Sequence, residues 1–133
     1  MALAATPLLR RALVVDALVS GATGLTLVLA GGFLARLLDV PEALLRYSGV
    51  LLVPFAIGVG LIARRDPVPR AGVLAIIALN VAWVAASAWV ALGDRVQPNA
   101  LGYAFIAVQA IVVAAFADLQ YVALRKAALR EAT

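Results

Sequence analysis

The chain contains four long runs of apolar residues that are separated by short polar connections. The runs cover about residues 8–34, 43–63, 71–92 and 100–124. Each is long enough to cross the roughly 30 Å hydrocarbon core of a bilayer as a helix of about 20 residues. Every connection combines charged residues with proline or glycine, which favours helix ends, and short connections make consecutive helices antiparallel. The pattern predicts an all-α membrane protein, a four-transmembrane-helix antiparallel bundle in one domain over residues 1–133.

The composition agrees with this class and excludes several kinds of site. The chain is 65% hydrophobic and only 14% charged, whereas soluble domains are about 45–50% apolar and about 25% charged. It has no Cys and no His, which excludes disulfide frameworks, thiolate chemistry and His-ligated metals. We therefore expect no cofactor and no metal. The basic residues form no surface interleaved with aromatic residues, so we expect no nucleic-acid partner.

The basic residues are distributed unevenly between the two sides of the predicted bundle. Eight of the 11 lie on the side that carries both termini, and the positive-inside rule then predicts cytoplasmic termini. The abundance of Ala, Val and Arg suggests a bacterial genome, so we expect a multi-pass protein of the bacterial inner (cytoplasmic) membrane. The first run exceeds the usual apolar length of a signal peptide, about 7–15 residues, and is interpreted as a span.

Four side chains within the apolar runs are considered because they carry a carboxyl or amide group in a candidate span. An unpaired ionisable group there costs about 2.5–3.5 kcal/mol on insertion scales and normally faces the protein interior. Asp16 is in the first run, Asn80 in the third, and Gln109 and Asp118 in the fourth. Counted from the flanking arginines at about 1.5 Å per residue, both aspartates lie at one level near the cytoplasmic side. Asn80 and Gln109 lie near mid-membrane on the same count.

A stripe of small and weakly polar residues follows one face of the first predicted helix. Such a stripe lets helices approach closely and form hydrogen bonds across the contact. On the third helix Asn80 and Trp83 share a face, whereas Asp118 and Gln109 are about half a turn out of phase on the fourth. The stripe contains Asp16, Ser20, Thr23, Gly24 and Gly31. The candidate ligand-binding or coupling residues are therefore Asp16, Ser20, Asn80, Trp83, Gln109 and Asp118.

Each candidate also has a purely structural explanation. Asp16 can bond a neighbouring helix, Asp118 can pair with the basic residues that follow it, and Asn80 can join two helices by hydrogen bonds. The second run contains Pro54, which removes a backbone donor and predicts a kink that opens space in the cytoplasmic half. The positions expected to serve helix packing are Gly21, Gly24, Gly31, Pro54 and Gly58.

Short segments along nearly the whole chain resemble a group of small four-span proteins of the proteobacterial inner membrane. The segments are "DALVSGATGL", "LLVPF", "ALNVAWVAAS" and "FADLQYVALRK". The group has no known activity, so the resemblance implies a fold and a location but no functional residues. DoxX-like bundles and small multidrug transporters are similar only in outline. The acidic and histidine signature of the former is not matched here, and the acidic residue of the latter belongs to a different motif.

Three hypotheses of function follow from these residues. The first is a non-catalytic role, as an accessory subunit of a larger membrane complex or as a binder of a lipid-like molecule within the bundle. Its partners would be membrane lipids, other membrane subunits or further copies of the chain. The alternative is an oligomeric proton-coupled small-molecule transporter that uses Asp16. An intramembrane enzyme would depend on Asp16 and Asp118 alone, so we expect no enzyme.

Overall fold

The computed structural model describes residues 2–132 and is helical over most of that range. Four of its helices are long and apolar enough to cross a membrane, which makes the chain a multi-pass membrane protein in the form of an all-α four-span bundle. The helices are α1 (Pro7–Leu29), α2 (Gly31–Leu38), α3 (Glu42–Ala63), α4 (Arg70–Leu92) and α5 (Ala100–Ala132). Two short strands, β1 (Ala2–Leu3) and β2 (Val68–Pro69), pair in antiparallel fashion.

The hydropathy pattern predicted one helix over the first apolar run, but the structure has two. Thr6 caps the start of α1 by accepting a hydrogen bond from the Leu9 N–H at 3.2 Å, and Pro7 occupies the first turn, where its missing N–H is not needed. The run breaks at Ala30, whose backbone (φ −112°, ψ 17°) is not helical. The eight-residue α2 then follows until Asp39 ends it in the left-handed conformation (φ 56°, ψ 52°).

A side chain from α3 stabilises the break between α1 and α2. The Arg46 guanidinium donates to the Val28 carbonyl at 2.8 Å, which satisfies one of the carbonyls left free at a helix C-terminus. It also lies 3.7 Å from the Glu42 carboxylate. A Cβ at Gly31 would lie 2.8 Å from the Arg46 side chain, so the glycine provides the room that Arg46 occupies. This pattern of long-range contacts was not visible in the hydropathy of the run.

Pro54 neither ends α3 nor opens space where the sequence predicted it. The helix is continuous from Glu42 to Ala63, and Pro54 lies on its exposed side. The end of the bundle that carries both termini and residues 64–69 is here named the terminal end, and the end with α2 and residues 93–99 the loop end. The half towards the terminal end is filled by a buried apolar cluster that includes Leu13, Val59 and Val73.

Both ends of the bundle are closed by short non-helical contacts. At the terminal end, β1 pairs with β2 and places Leu3 and Val68 in the core with no exposed surface. At the loop end, the Asn99 side chain accepts from the Gly102 N–H at 2.8 Å and donates to the Leu37 carbonyl at 2.8 Å. Asn99 therefore caps α5 and fastens it to α2.

The long helices form two pairs, which are joined mainly by the contact between α1 and α5. Helix α1 packs against α3, α4 packs against α5, and α1 and α5 join the two pairs. The α1–α3 contact is close at Gly24, since a Cβ added there would lie only 2.9 Å from the Leu52 Cβ. Gly21 lies at ordinary contact distance from α3, since its Cβ would be 3.5 Å from the Ala56 Cβ. Gly58 does not serve packing as expected, because a Cβ there would meet nothing within 4 Å.

Candidate functional site

A buried polar cluster joins three helices between the two halves of the bundle. Asp16 of α1 accepts three hydrogen bonds: from the Ser20 hydroxyl at 2.9 Å, from the Asn80 amide of α4 at 2.8 Å and from the Gln120 amide of α5 at 2.6 Å. The Asn80 amide also donates to the Gln120 carbonyl oxygen at 3.1 Å. We call Asp16, Ser20, Asn80 and Gln120 the polar cluster.

The polar cluster is almost entirely shielded from solvent and from lipid. Asp16 and Gln120 are 0% exposed, Asn80 3% and Ser20 7%. Both carboxylate oxygens accept, and no buried side-chain nitrogen or oxygen among residues 2–132 lacks a partner. Such satisfaction is what a polar group in an apolar interior requires, because an unpaired one costs the full penalty of its desolvation. The cluster is therefore built to hold helices together.

The hydrogen bonds of the cluster carry a contact that the backbones do not make. Over the described part of the chain, α1 and α4 have no close backbone approach, and the bond between Asp16 and Asn80 spans the gap between them. Because interhelical hydrogen bonds specify which faces meet inside a membrane, the cluster fixes the rotation of α4 and α5 relative to α1.

A second set of hydrogen bonds lies nearer the loop end, since its members follow Asn80 along α4 and precede Gln120 along α5. The Trp83 indole N–H donates to the Gln109 carbonyl oxygen at 2.9 Å. The Gln109 amide donates in turn to the Ser87 hydroxyl at 2.9 Å and to the Ile106 carbonyl at 2.9 Å. This set joins α4 to α5 and leaves Trp83 and Gln109 half-buried.

Two cavities lie in the loop half, on either side of this second set. The α1–α5 cavity has a volume of about 550 Å³ and is lined by α1, α2 and α5, with Leu52 and Trp83 from the other two helices. The α3–α4 cavity has a volume of about 410 Å³ and lies between α3 and α4, against α1 and α5. Both are lined by Thr23, Leu52, Trp83, Phe105 and Gln109.

The linings of both cavities are apolar with a few neutral polar groups. None of the lining residues carries a charge. Asp16 does not line the α1–α5 cavity, but its hydrogen-bond donor Ser20 does. Among residues 2–132 no group of three or more His, Cys, Asp or Glu side chains could hold a metal ion. The cavities can therefore accept apolar molecules and form hydrogen bonds to them, and they offer no charged group for an ionic contact.

Asp118 lies apart from the polar cluster. It is exposed on the outer face of α5, two residues from Gln120, and it makes no hydrogen bond or ion pair within the described chain. The expected partner Arg125 lies instead over the Tyr121 ring, 5.9 Å from its centroid. The two aspartates are close in level, as the helical rise predicted, but Asp118 faces away from Asp16 and they share no site.

The other candidates divide between the two sets of hydrogen bonds. Asp16, Ser20 and Asn80 meet in the polar cluster, so Asn80 lies level with Asp16 rather than deeper in the membrane. The predicted difference in level between Asp16 and Asn80 was wrong, because the two side chains are in direct contact at 2.8 Å. Trp83 and Gln109 meet near the loop end.

Gln120 is the residue that the sequence reasoning did not single out. It shares a buried stripe of α5 with Phe116, Ala123, Leu124 and Ala127, at spacings of three, four and seven residues that mark one helix face. That periodicity was available in the sequence. It distinguishes Gln120 from Asp118, whose face also carries a charged residue seven positions on.

Comparisons of the chain with models of protein families, with curated proteins and with solved structures found no match. The candidate site is therefore interpreted from its own geometry.

Proposed function

We propose that this chain is a non-catalytic membrane protein that binds an apolar, lipid-like molecule between its helices. The observation that carries the proposal is the pair of cavities of about 550 and about 410 Å³ around Trp83 and Gln109. Small-molecule sites have volumes of about 300–1,000 Å³ and mostly apolar walls with a few polar groups. Both cavities have these properties, and the polar cluster beneath them supports a rigid framework for a bound molecule.

The chemistry of the polar groups supports binding rather than catalysis. Acid and base catalysis by two carboxylates needs both to reach one substrate. Asp16 is 0% exposed and accepts three hydrogen bonds, while Asp118 faces the opposite side of α5. Proton-coupled transport requires Asp16 to exchange protons with water, and its complete burial does not favour that alternative.

The proposal is tested by filling each cavity and measuring the apolar molecules that remain bound. Ala104 lines the α1–α5 cavity and Ala86 the α3–α4 cavity. Ala104→Phe and Ala86→Phe should each reduce the amount of lipid-like molecule that co-purifies in mild detergent, measured by mass spectrometry. Ala107→Phe and Ala85→Phe are matched controls, because both positions are exposed on the same helices and line neither cavity.

The outcome separates the candidate functions. A wild-type protein that carries no more apolar molecule than the filled variants would remove the binding proposal. Proton-driven uptake into proteoliposomes that is present in the wild type and lost in Asp16→Asn would favour transport instead.

A second role, as a subunit of a membrane assembly, is favoured by Asp118. Its carboxylate is exposed on a helix that has the apolar character of a membrane span, and a charge at such a position is stable when it meets a partner. A neighbouring subunit with a basic or amide side chain at that level would supply one. Asp118→Leu should then abolish co-purification of that subunit, whereas Leu119→Ala on the same exposed side should retain it.

A further inference from the structure

We propose that the α1–α5 cavity selects an uncharged molecule that carries a hydroxyl group, and that this hydroxyl binds between Ser20 and Thr23. This inference rests on the proposed binding function and names the chemical class of the ligand. Ser20 and Thr23 are three residues apart on α1 and both line this cavity, and residues at this spacing are neighbours on one helix face. They are the hydroxyl groups that α1 presents to the cavity.

Thr23 is exceptional among the serine and threonine residues of the chain from 2 to 132. Thr6 accepts a hydrogen bond in its helix cap, and Ser20 donates to Asp16. The remaining three donate to carbonyl oxygens one turn back in their own helices, and they are Thr26, Ser48 and Ser87. Thr23 makes no hydrogen bond to any described residue, although it lines both cavities. Its hydroxyl is therefore free to donate to a bound molecule or to accept from one.

Ser20 determines which kind of polar group fits beside Thr23. Its single proton is used in the 2.9 Å hydrogen bond to Asp16, so towards the cavity its oxygen can act only as an acceptor. A ligand hydroxyl satisfies both neighbours, because it can donate to the Ser20 oxygen and accept from Thr23. An ether or a ketone accepts only, so it leaves the acceptor capacity of the Ser20 oxygen unused. Asp16 thus acts on ligand choice through the hydrogen bond it accepts from the Ser20 hydroxyl.

The charge of the lining excludes ionic head groups. No residue that lines the α1–α5 cavity is charged, so a carboxylate or a phosphate would enter an apolar space with no cation to pair with, which is unfavourable. Apart from the Gln109 amide, which is already hydrogen-bonded within the protein, the remaining lining is aliphatic or aromatic, with Leu37, Val108 and Phe116 among its members. The ligand class is therefore an apolar alcohol, such as a long-chain or polycyclic one.

The test uses the fluorescence of Trp83, which lines both cavities. The chain has two tryptophans, so Trp89→Phe leaves Trp83 as the reporter. The probes are a long-chain alcohol with a bromine at its tail, the methyl ether of that alcohol, and the carboxylic acid of the same length. Each is titrated into the purified full-length protein at fixed detergent, and the apparent Kd is taken from quenching of Trp83 by bromine.

The alcohol should bind about 3- to 10-fold more tightly than the ether, which is the effect of about one hydrogen bond. Thr23→Val should weaken the alcohol and the ether alike, because it removes the donor that either oxygen accepts from, and Thr23→Ser should retain both affinities. Ser20→Ala should remove the preference, because it removes the acceptor that only the alcohol can use. Thr26→Val is the matched control and should change nothing, because Thr26 is exposed and bonds its own helix. Since the Thr23 hydroxyl bonds no described residue, Thr23→Val leaves every hydrogen bond of the fold in place.

The results distinguish failure of this inference from failure of the proposed function. Equal binding of alcohol and ether, tighter binding of the acid, or alcohol binding unchanged by Thr23→Val would each overturn the hydroxyl site. If binding is still lost in Ala104→Phe, the proposed binding of an apolar molecule in this cavity is retained. Quenching that is the same in the wild type, in Ala104→Phe and in Ala86→Phe would overturn both.

Discussion

The polar cluster makes Gln120→Leu the most informative single substitution in the chain. Leucine is close to glutamine in size but removes two hydrogen bonds, the 2.6 Å bond to Asp16 and the 3.1 Å bond from Asn80. In soluble proteins a hydrogen bond to a charged group contributes about 1.5–3 kcal/mol and a neutral one about 0.5–1.5 kcal/mol. Between membrane helices the average is nearer 0.6 kcal/mol. We expect the free energy of unfolding to fall by about 2 kcal/mol.

The expected loss is measured by equilibrium unfolding in mixed detergent and SDS micelles, followed by circular dichroism. The matched control is Gln109→Leu, which removes the same amide from the same helix but from neutral, half-buried partners such as Trp83. Its loss should be smaller, because no carboxylate is left short of a donor. In an Asp16→Leu background, Gln120→Leu should cost at least about 1 kcal/mol less than in the wild type, since residues in one network couple.

The reasoning is refuted by two results together. One is a loss for Gln120→Leu that does not exceed that of Gln109→Leu, and the other is no coupling to Asp16→Leu. That outcome would mean that Gln120 contributes by its volume alone.

Two further predictions concern positions where the structure differs from simple expectation. Gly24→Ala should destabilise the protein by about 1–3 kcal/mol, because its Cβ would lie 2.9 Å from the Leu52 Cβ. Gly58→Ala meets nothing within 4 Å and should be neutral or stabilise by up to about 1 kcal/mol. The same unfolding titration compares the two variants, and equal effects would contradict the close α1–α3 contact. Asn99→Ala should lower the free energy of unfolding by about 0.5–2 kcal/mol through loss of the helix cap. It should also speed amide exchange at Gly102, whose N–H donates to the Asn99 side chain at 2.8 Å, and unchanged exchange there would show that the cap is dispensable.

Much of the fold was predictable because it depends on local chemistry. Four apolar runs separated by charged connections with proline or glycine predicted the start of each span within one residue, and the ends of α3 and α4 as well. Helix α1 ends five residues before the predicted end of the first run, and α5 continues eight residues beyond the predicted end of the fourth. The break at Ala30 was not predictable from hydropathy, since "LAGGF" is as apolar as its surroundings. It depends on Arg46, which approaches from α3 and bonds the Val28 carbonyl. The side to which the termini face stays a prediction from the distribution of arginines.

The candidate site was predictable in its membership more than in its arrangement. Five of the six candidates participate in one or other set of hydrogen bonds, because a polar side chain within a span needs a partner. Asp118 is the exception, and its face of α5 turned outward. The residue of α5 that lies beside Asp16 is Gln120 and not Asp118.

The sequence by itself determined that the chain spans a membrane, where its helices lie and which side chains need polar partners, because hydropathy and helix ends are properties of short segments. Only the tertiary structure decided which of those side chains meet. The rotation and axial offset of each helix follow from contacts between residues far apart in the chain, such as Gly24 against Leu52. Those contacts turned Gln120 towards Asp16, left the Thr23 hydroxyl without a partner and opened the two cavities around Trp83.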